Sequence, residues 1–222
     1  MGDTVAVSVP ADPKQARSRQ TKEKIVQAAI HLFQERGYEK TTSNDIAAAA
    51  GVSVGSFYVY FTDKRQLLLT IFDRLGDELF MNIFDGLKPE HLFDEQFPAR
   101  IKHAVANAIV DKQKLSGLHR VICELVLKDA EFATRHKAMT ERSIAKLQEL
   151  ISLANKARLT YEIDVEAASF VVHRVVFDLS QDYCTGAISF DKNRAIDALS
   201  EMIYRFLFKP RPEDQSQKTL HS

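Results

Sequence analysis

Ser53, Val54, Gly55, Ser56, Tyr58 and Tyr60 gather hydroxyl, small and aromatic side chains within one short segment, and Lys64 follows closely. Hydroxyls and backbone amides bind phosphate oxygens, exposed valine and tyrosine side chains meet thymine methyls and base edges, and an ammonium clamps a phosphate. Presented on one helical face, such a set has the chemistry to contact a duplex major groove. Ser53, Val54, Ser56 and Tyr58 are the candidates for base or groove contact. Thr42, Tyr60 and Lys64 are the candidates for phosphate.

Other constellations are weaker. His119 and Cys123 lie four apart, on one helical face, with Glu124 adjacent. That spacing would suit half a metal site or a reactive thiol pair, but a buried cysteine beside a polar histidine explains it more simply. His91, His103, His136 and His173 are scattered and show no ligand spacing. There is no G-x-S-x-G elbow, P-loop, H-E-x-x-H or C-x-x-C, so the chain reads as a non-enzyme without a cofactor or metal. The bulky residues Phe93, Phe97, Cys123, Phe132, Met139, Phe177 and Tyr183, with the polar His103, His119, Glu124 and Arg174, suit an apolar small-molecule pocket with a few orienting groups.

The groove-facing set must be held by the stretch 42–64, TSNDIAAAAGVSVGSFYVYFTDK, which reads as two short helices joined by a tight turn. Thr42 caps the first, with Asp45 three residues on completing a capping box. Ile46, Ala47 and Ala50 share its inner face, Gly51 ends it in a left-handed turn, and Ser53 caps the second helix. Ala47, Gly51 and Phe57 then sit at helix-turn-helix spacing: a small residue where helices cross, a turn glycine, and an apolar anchor.

The run from about Arg19 to Leu68 resembles the DNA-binding domain of the TetR family of bacterial transcriptional regulators. The matching segments are IVQAAIHLFQERGYEKTT, DIAAAAGVS, VGSFYVYF and DK, anchored at Phe33, Gly37, Thr42, Ile46, Ala47, Gly51, Val52, Ser53, Gly55, Tyr58, Phe61 and Lys64. The resemblance covers about fifty residues of 222. It implies a double-stranded DNA operator as partner, and a homodimer built through the last two helices, about 164–185 and 191–208. It also implies a larger C-terminal body for dimerisation and binding of a small effector.

The bulk composition is compatible with this. Hydrophobic residues make up 45% and charged residues 27%, ordinary for a globular protein. Net charge is zero, yet 14–65 carry nine basic residues against five acids. That leaves a basic head on a mildly acidic remainder, as expected where one end meets DNA. No apolar run approaches the roughly 20 residues of a membrane span. The first residues, MGDTVAVSVPADPKQ, lack the pattern of a secretory signal. Two cysteines, Cys123 and Cys184, make no disulfide framework, so a cytoplasmic location is expected.

Periodicity yields an all-α chain of about nine helices with no strand pattern and no repeat. Residues 1–15 read as a disordered tail, 16–64 as a three-helix DNA-binding domain, 65–208 as a ligand-binding and dimerisation domain, and 209–222 as a second disordered tail. Helices are expected at about 18–36, 64–85, 99–113, 116–128, 130–157, 164–185 and 191–208, besides the two in the helix-turn-helix. The helix from 64 is long enough to carry a movement from head to body. The function that the resemblance implies is a dimeric repressor of a palindromic operator, released by a small, largely apolar effector. The alternative is a helix-turn-helix protein acting on DNA without any effector.

Overall fold

Thr42, Ser53, Asp129, Asp164 and Asp191 each precede a helix, and their side-chain oxygens accept from amides of its first turn. Short polar side chains satisfy otherwise orphaned N–H groups, so these helix starts are set by local sequence. The computed structural model describes residues 13–109 and 112–210. Among the described residues there are nine α-helices and no β-strand, so the chain is all-α. They are α1 (Pro13–Arg36), α2 (Ser43–Ala49), α3 (Val54–Tyr60), α4 (Lys64–Phe84), α5 (Phe97–Ala108), α6 (Lys112–Lys128), α7 (Ala130–Lys156), α8 (Val165–Thr185) and α9 (Lys192–Leu207). A 3-10 turn, Pro89–His91, lies in the segment expected to be a loop or short helix.

Two compact units divide between Ile71 and Phe72. The first holds α1, α2, α3 and the opening turns of α4. Ile25, Ala29, Leu32 and Phe33 of α1, Ile46 and Ala47 of α2, and Phe57 of α3 are all buried, together with Leu67, Leu68 and Ile71 of α4. This unit therefore reaches beyond the boundary expected at 64. Gly37 and Gly51 take φ of 82° and 67° at the ends of α1 and α2, a region open to glycine at little cost.

In the second unit, α5 packs on α8 and α9, while α6, α7 and α8 pack on one another. Its core includes Phe97, Ile101 and Val105 of α5, Leu150 and Ile151 of α7, Val172 of α8, and Ile196, Leu199 and Ile203 of α9. Part of α4 also meets α7: Asp73 pairs with Arg135, Asp77 with Arg142 at 2.5 Å, and Met139 packs on Gly76, where a Cβ would collide with its thioether end. At the end of α9 the chain returns to the segment after α7. Lys209 N donates to Leu159 O at 2.9 Å and Tyr161 N to Leu207 O at 3.3 Å, around a bridge between Thr160 and Phe208.

Two expected boundaries are corrected. Residues 13–15, assigned to the N-terminal tail, form the first turn of α1. Pro13 stands at the first helical position, where its missing N–H loses nothing, and Lys, Gln, Ala and Arg follow as strong helix formers. The helix expected at 99–113 ends at Ala108, and Ile109 leaves the helical region with its side chain in the core. No glycine or proline marks that break, so apolar periodicity ran through it. Residues 1–12 and 211–222, in the two expected tails, lie outside the described residues.

Candidate nucleic-acid interface

The helix-turn-helix is built from two caps and one anchor. Thr42 Oγ1 accepts from Asp45 N at 3.2 Å, and Asp45 Oδ2 accepts from Thr42 N at 2.9 Å and from its hydroxyl at 2.6 Å. These Thr42 bonds hold the Asp45 carboxyl below its usual value. The Thr42 hydroxyl is thus committed to the capping box. Ser53 Oγ accepts from Ser56 N at 3.1 Å and lies 2.8 Å from Ser56 Oγ, so those two candidate hydroxyls face each other. Phe57 is fully buried and packs edge-on against Tyr58, with ring centres 5.3 Å apart.

With Phe57 anchored inward, the rest of α3 is turned out. Val54 is 40% exposed, Tyr58 53% and Val59 77%. Gly55 is open: a Cβ there would meet only Ser53 Oγ, at 3.8 Å. Val59 is the residue that the sequence reading missed. It lies two positions past the buried Phe57 and four past Gly55, so helical spacing alone puts it on the outward face.

The flanking candidates have partners within the first unit. Tyr60 Oη donates to Ser18 Oγ at 3.2 Å, joining α3 to α1. Lys64 Nζ donates to Tyr38 O at 2.9 Å and to Glu39 O at 3.4 Å, and lies 4.3 Å over the Tyr38 ring. An ammonium has three donors, and two carbonyls leave one directed elsewhere.

The pocket candidates fall in several places within the second unit. Phe93 is largely exposed, whereas Phe97 is core beside Phe208. Phe132 is fully buried against Phe72, and Met139 packs on Gly76. Glu124 and Arg174 are exposed, facing Lys128 at 3.9 Å and Asp178 at 3.0 Å. His103 is exposed beside Asn107 and lines a small open hollow of about 200 Å³ with Ile83, Gln96 and Arg100.

His119 and Cys123 come together, and Cys123 also meets Gln181, one turn of α8 beyond Phe177. Cys123 Sγ donates to Gln181 Oε1 at 3.5 Å and lies 3.6 Å from His119 Nδ1. Phe177 has His173 stacked on it at 5.9 Å and His136 tilted against it at 5.6 Å. Burial pushes the Cys123 thiol up and all three of these imidazoles down. The signal for His173 and Gln181 was their place four residues either side of Phe177. For His136 no local signal exists, since it arrives from another helix. Among the described residues no three His, Cys, Asp or Glu side chains are grouped to hold a metal, and no helix is long and apolar enough to cross a membrane.

A capped helix pair with an anchored, outward-turned second helix, in a chain that is otherwise all helical, defines a helix-turn-helix DNA-binding protein. Residues 25–71 match the family described as bacterial regulatory proteins, tetR family. The transcriptional repressor BepR of Brucella suis biovar 1 (strain 1330) is 26% identical over 182 residues, covering 79% of this chain and 86% of BepR. Among solved structures, a TetR-family regulator from Mesorhizobium loti MAFF303099 superposes with a TM-score of 0.71 at 18% identity, over 87% of this chain and 99% of the other. The SmeT–triclosan complex superposes at 0.64 with 20% identity, over 86% and 98%. Residues 25–71 thus carry the DNA-binding domain of the tetR family, and the chain as a whole is similar in fold to TetR-family transcriptional regulators.

Proposed function

We propose that the chain is a cytoplasmic, non-enzymatic repressor that binds a palindromic operator as a homodimer and is released by a small, largely apolar effector. Residues 16–64 bind DNA in this reading, and 65–208 carry dimerisation and the effector site. Ser53, Val54, Gly55, Ser56 and Tyr58 face the groove, while Tyr60 and Lys64 face phosphates and Thr42, whose hydroxyl and amide both go to Asp45, holds the helix start beside them.

The observation that carries the two-fold reading is apolar surface left open on α8 and α9. Phe170, Val171 and Val175 form one row, and Met202 and Phe206 another, all more than a third exposed. Such rows require cover. A second copy would supply it, and a two-fold pair sets two recognition helices about 34–36 Å apart, one turn of duplex. Repression is supported by the name of BepR. An apolar effector is supported by the SmeT–triclosan complex and by half-buried polar groups in the α6, α7 and α8 layer of this chain.

Selection of bound fragments from random duplex DNA, with sedimentation of the free protein, tests the reading. A palindrome with half-sites one or two turns apart and a dimer at micromolar concentration are expected. A protein that sediments as a monomer and selects a single asymmetric site would overturn it. Thermal stabilisation by members of a hydrophobic compound library tests the effector, because a body without an effector site should show none.

A further inference from the structure

Along α8, His173, Phe177 and Gln181 recur every fourth residue and form one stripe. That stripe faces two other helices. Gln181 accepts from the Cys123 thiol of α6 at 3.5 Å, and Phe177 carries both His173 and, from α7, His136 against its ring. These side chains are all half-buried. Polar groups in a helix interface are costly unless something bonds them, and here one is left over: His173 Nδ1 is buried without a hydrogen-bond partner.

The chemistry missing from this stripe can be read from its members. Burial, then the Arg174 charge, hold the His173 imidazole below its ordinary value, against a smaller opposing pull from Asp178, and His136 adds to this only when it is itself protonated. His136 is likewise held below that value by burial. A neutral imidazole nitrogen either donates or accepts, according to tautomer. A hydroxyl satisfies it in both cases. A carboxylate could accept only from the Nδ1–H tautomer and would lose its hydration in this half-buried layer, where the nearby Arg174 is already paired with Asp178 at 3.0 Å. An ammonium, which only donates, suits the other tautomer alone. Phe177 already takes one stacked ring, one tilted ring and the Arg174 guanidinium 5.8 Å from its centre, so a ligand ring would pack there in place of one of these neighbours.

We propose that this stripe is the effector site and takes an uncharged phenol with an apolar tail, its hydroxyl bonded to His173 Nδ1 and its ring packed against Phe177. The inference rests on the reading that the body binds a small effector. It adds the ligand class and the residues, and needs no residue of the DNA-binding face.

The test uses the full chain with 4-butylphenol, 4-butylanisole and 4-butylbenzoate, scored by thermal shift, by calorimetric affinity and by release of selected DNA. The wild type should bind the phenol at least tenfold more tightly than the ether or the carboxylate. In His173→Phe, which keeps a flat ring on Phe177, phenol affinity should fall to within threefold of the ether, whose own affinity is unchanged. Histidine labelled with ¹⁵N gives a readout without substitution: the His173 Nδ1 resonance should move on titration with the phenol and stay still with the ether. Equal binding of phenol and ether, or an unmoved resonance, would overturn the ligand class while leaving an effector site intact. Should none of these probes, nor any member of a hydrophobic library, shift the melting point or release DNA, the effector reading itself falls.

Discussion

Lys64 Nζ donates to the backbone carbonyl of Tyr38 at 2.9 Å while lying 4.3 Å over the centre of the same residue's ring. The first residue of α4 is thereby pinned to the loop between α1 and α2. A lysine that the sequence offers as a phosphate clamp is also a structural staple, and the two roles make different predictions.

Lys64→Ala should lower the stability of the first unit by about 1 kcal/mol, the combined scale of one net hydrogen bond and one exposed cation–π contact. It should also weaken binding to all DNA sequences alike and reduce the salt slope of log affinity by roughly one unit. Urea midpoints and a salt series of gel shifts read the two effects separately. A stability loss with an unchanged slope would leave only the staple.

Phe57 and Val59, two residues apart, should respond in opposite ways. Phe57→Ala removes a fully buried ring and should destabilise by about 3–5 kcal/mol. Val59→Ser alters a side chain that is 77% exposed and should leave stability within roughly 0.5 kcal/mol. It should nevertheless change which base is preferred at one position of each half-site, as should Ser56→Ala. Repeating the DNA selection with each variant checks this; an identical selected sequence would remove Val59 and Ser56 from base contact.

Charge placed in the open apolar rows should separate the subunits. Phe170→Glu with Phe206→Glu leaves the core residues Val172 and Ile203 untouched, so helical content should persist. Sedimentation should shift from dimer toward monomer, and affinity for a two-half-site operator should drop by tenfold or more. A variant that remains dimeric would place the contact elsewhere.

The half-buried imidazoles set an acid limb. Burial holds His119, His136 and His173 below the ordinary imidazole value in the folded state. On acidification the unfolded chain therefore takes up these protons first, starting near the unperturbed value of about 6.5, and stability falls with pH below that point. The melting temperature should be highest at or above pH 7 and decline toward pH 5.5. The slope over that window should be shallower in His136→Phe. A flat profile in the wild type would contradict the neutral assignment.

The legible parts of the chain were those decided locally. Thr42 with Asp45, Ser53, Asp164 and Gly186 announce helix ends through hydrogen bonds or φ values that only a few residue types supply. The buried stripe of α1 follows from spacing alone. What escaped was decided by partners distant in sequence. His136 joins Phe177 only because α7 packs on α8. Phe93, by type a core residue, stands mostly in solvent. The break after Ala108 is set by burial of Ile109 rather than by any turn residue.

The bonds joining Leu159 to Lys209 and Tyr161 to Leu207 turn α8 and α9 into a hairpin with a fastened stem. A tether or fluorophore attached just beyond Lys209 would report on that stem rather than on a loose end. Tension applied there would be borne by the clasp before α9 began to peel from its neighbours, and trimming the chain back to Phe206 would undo the clasp with α9 almost whole.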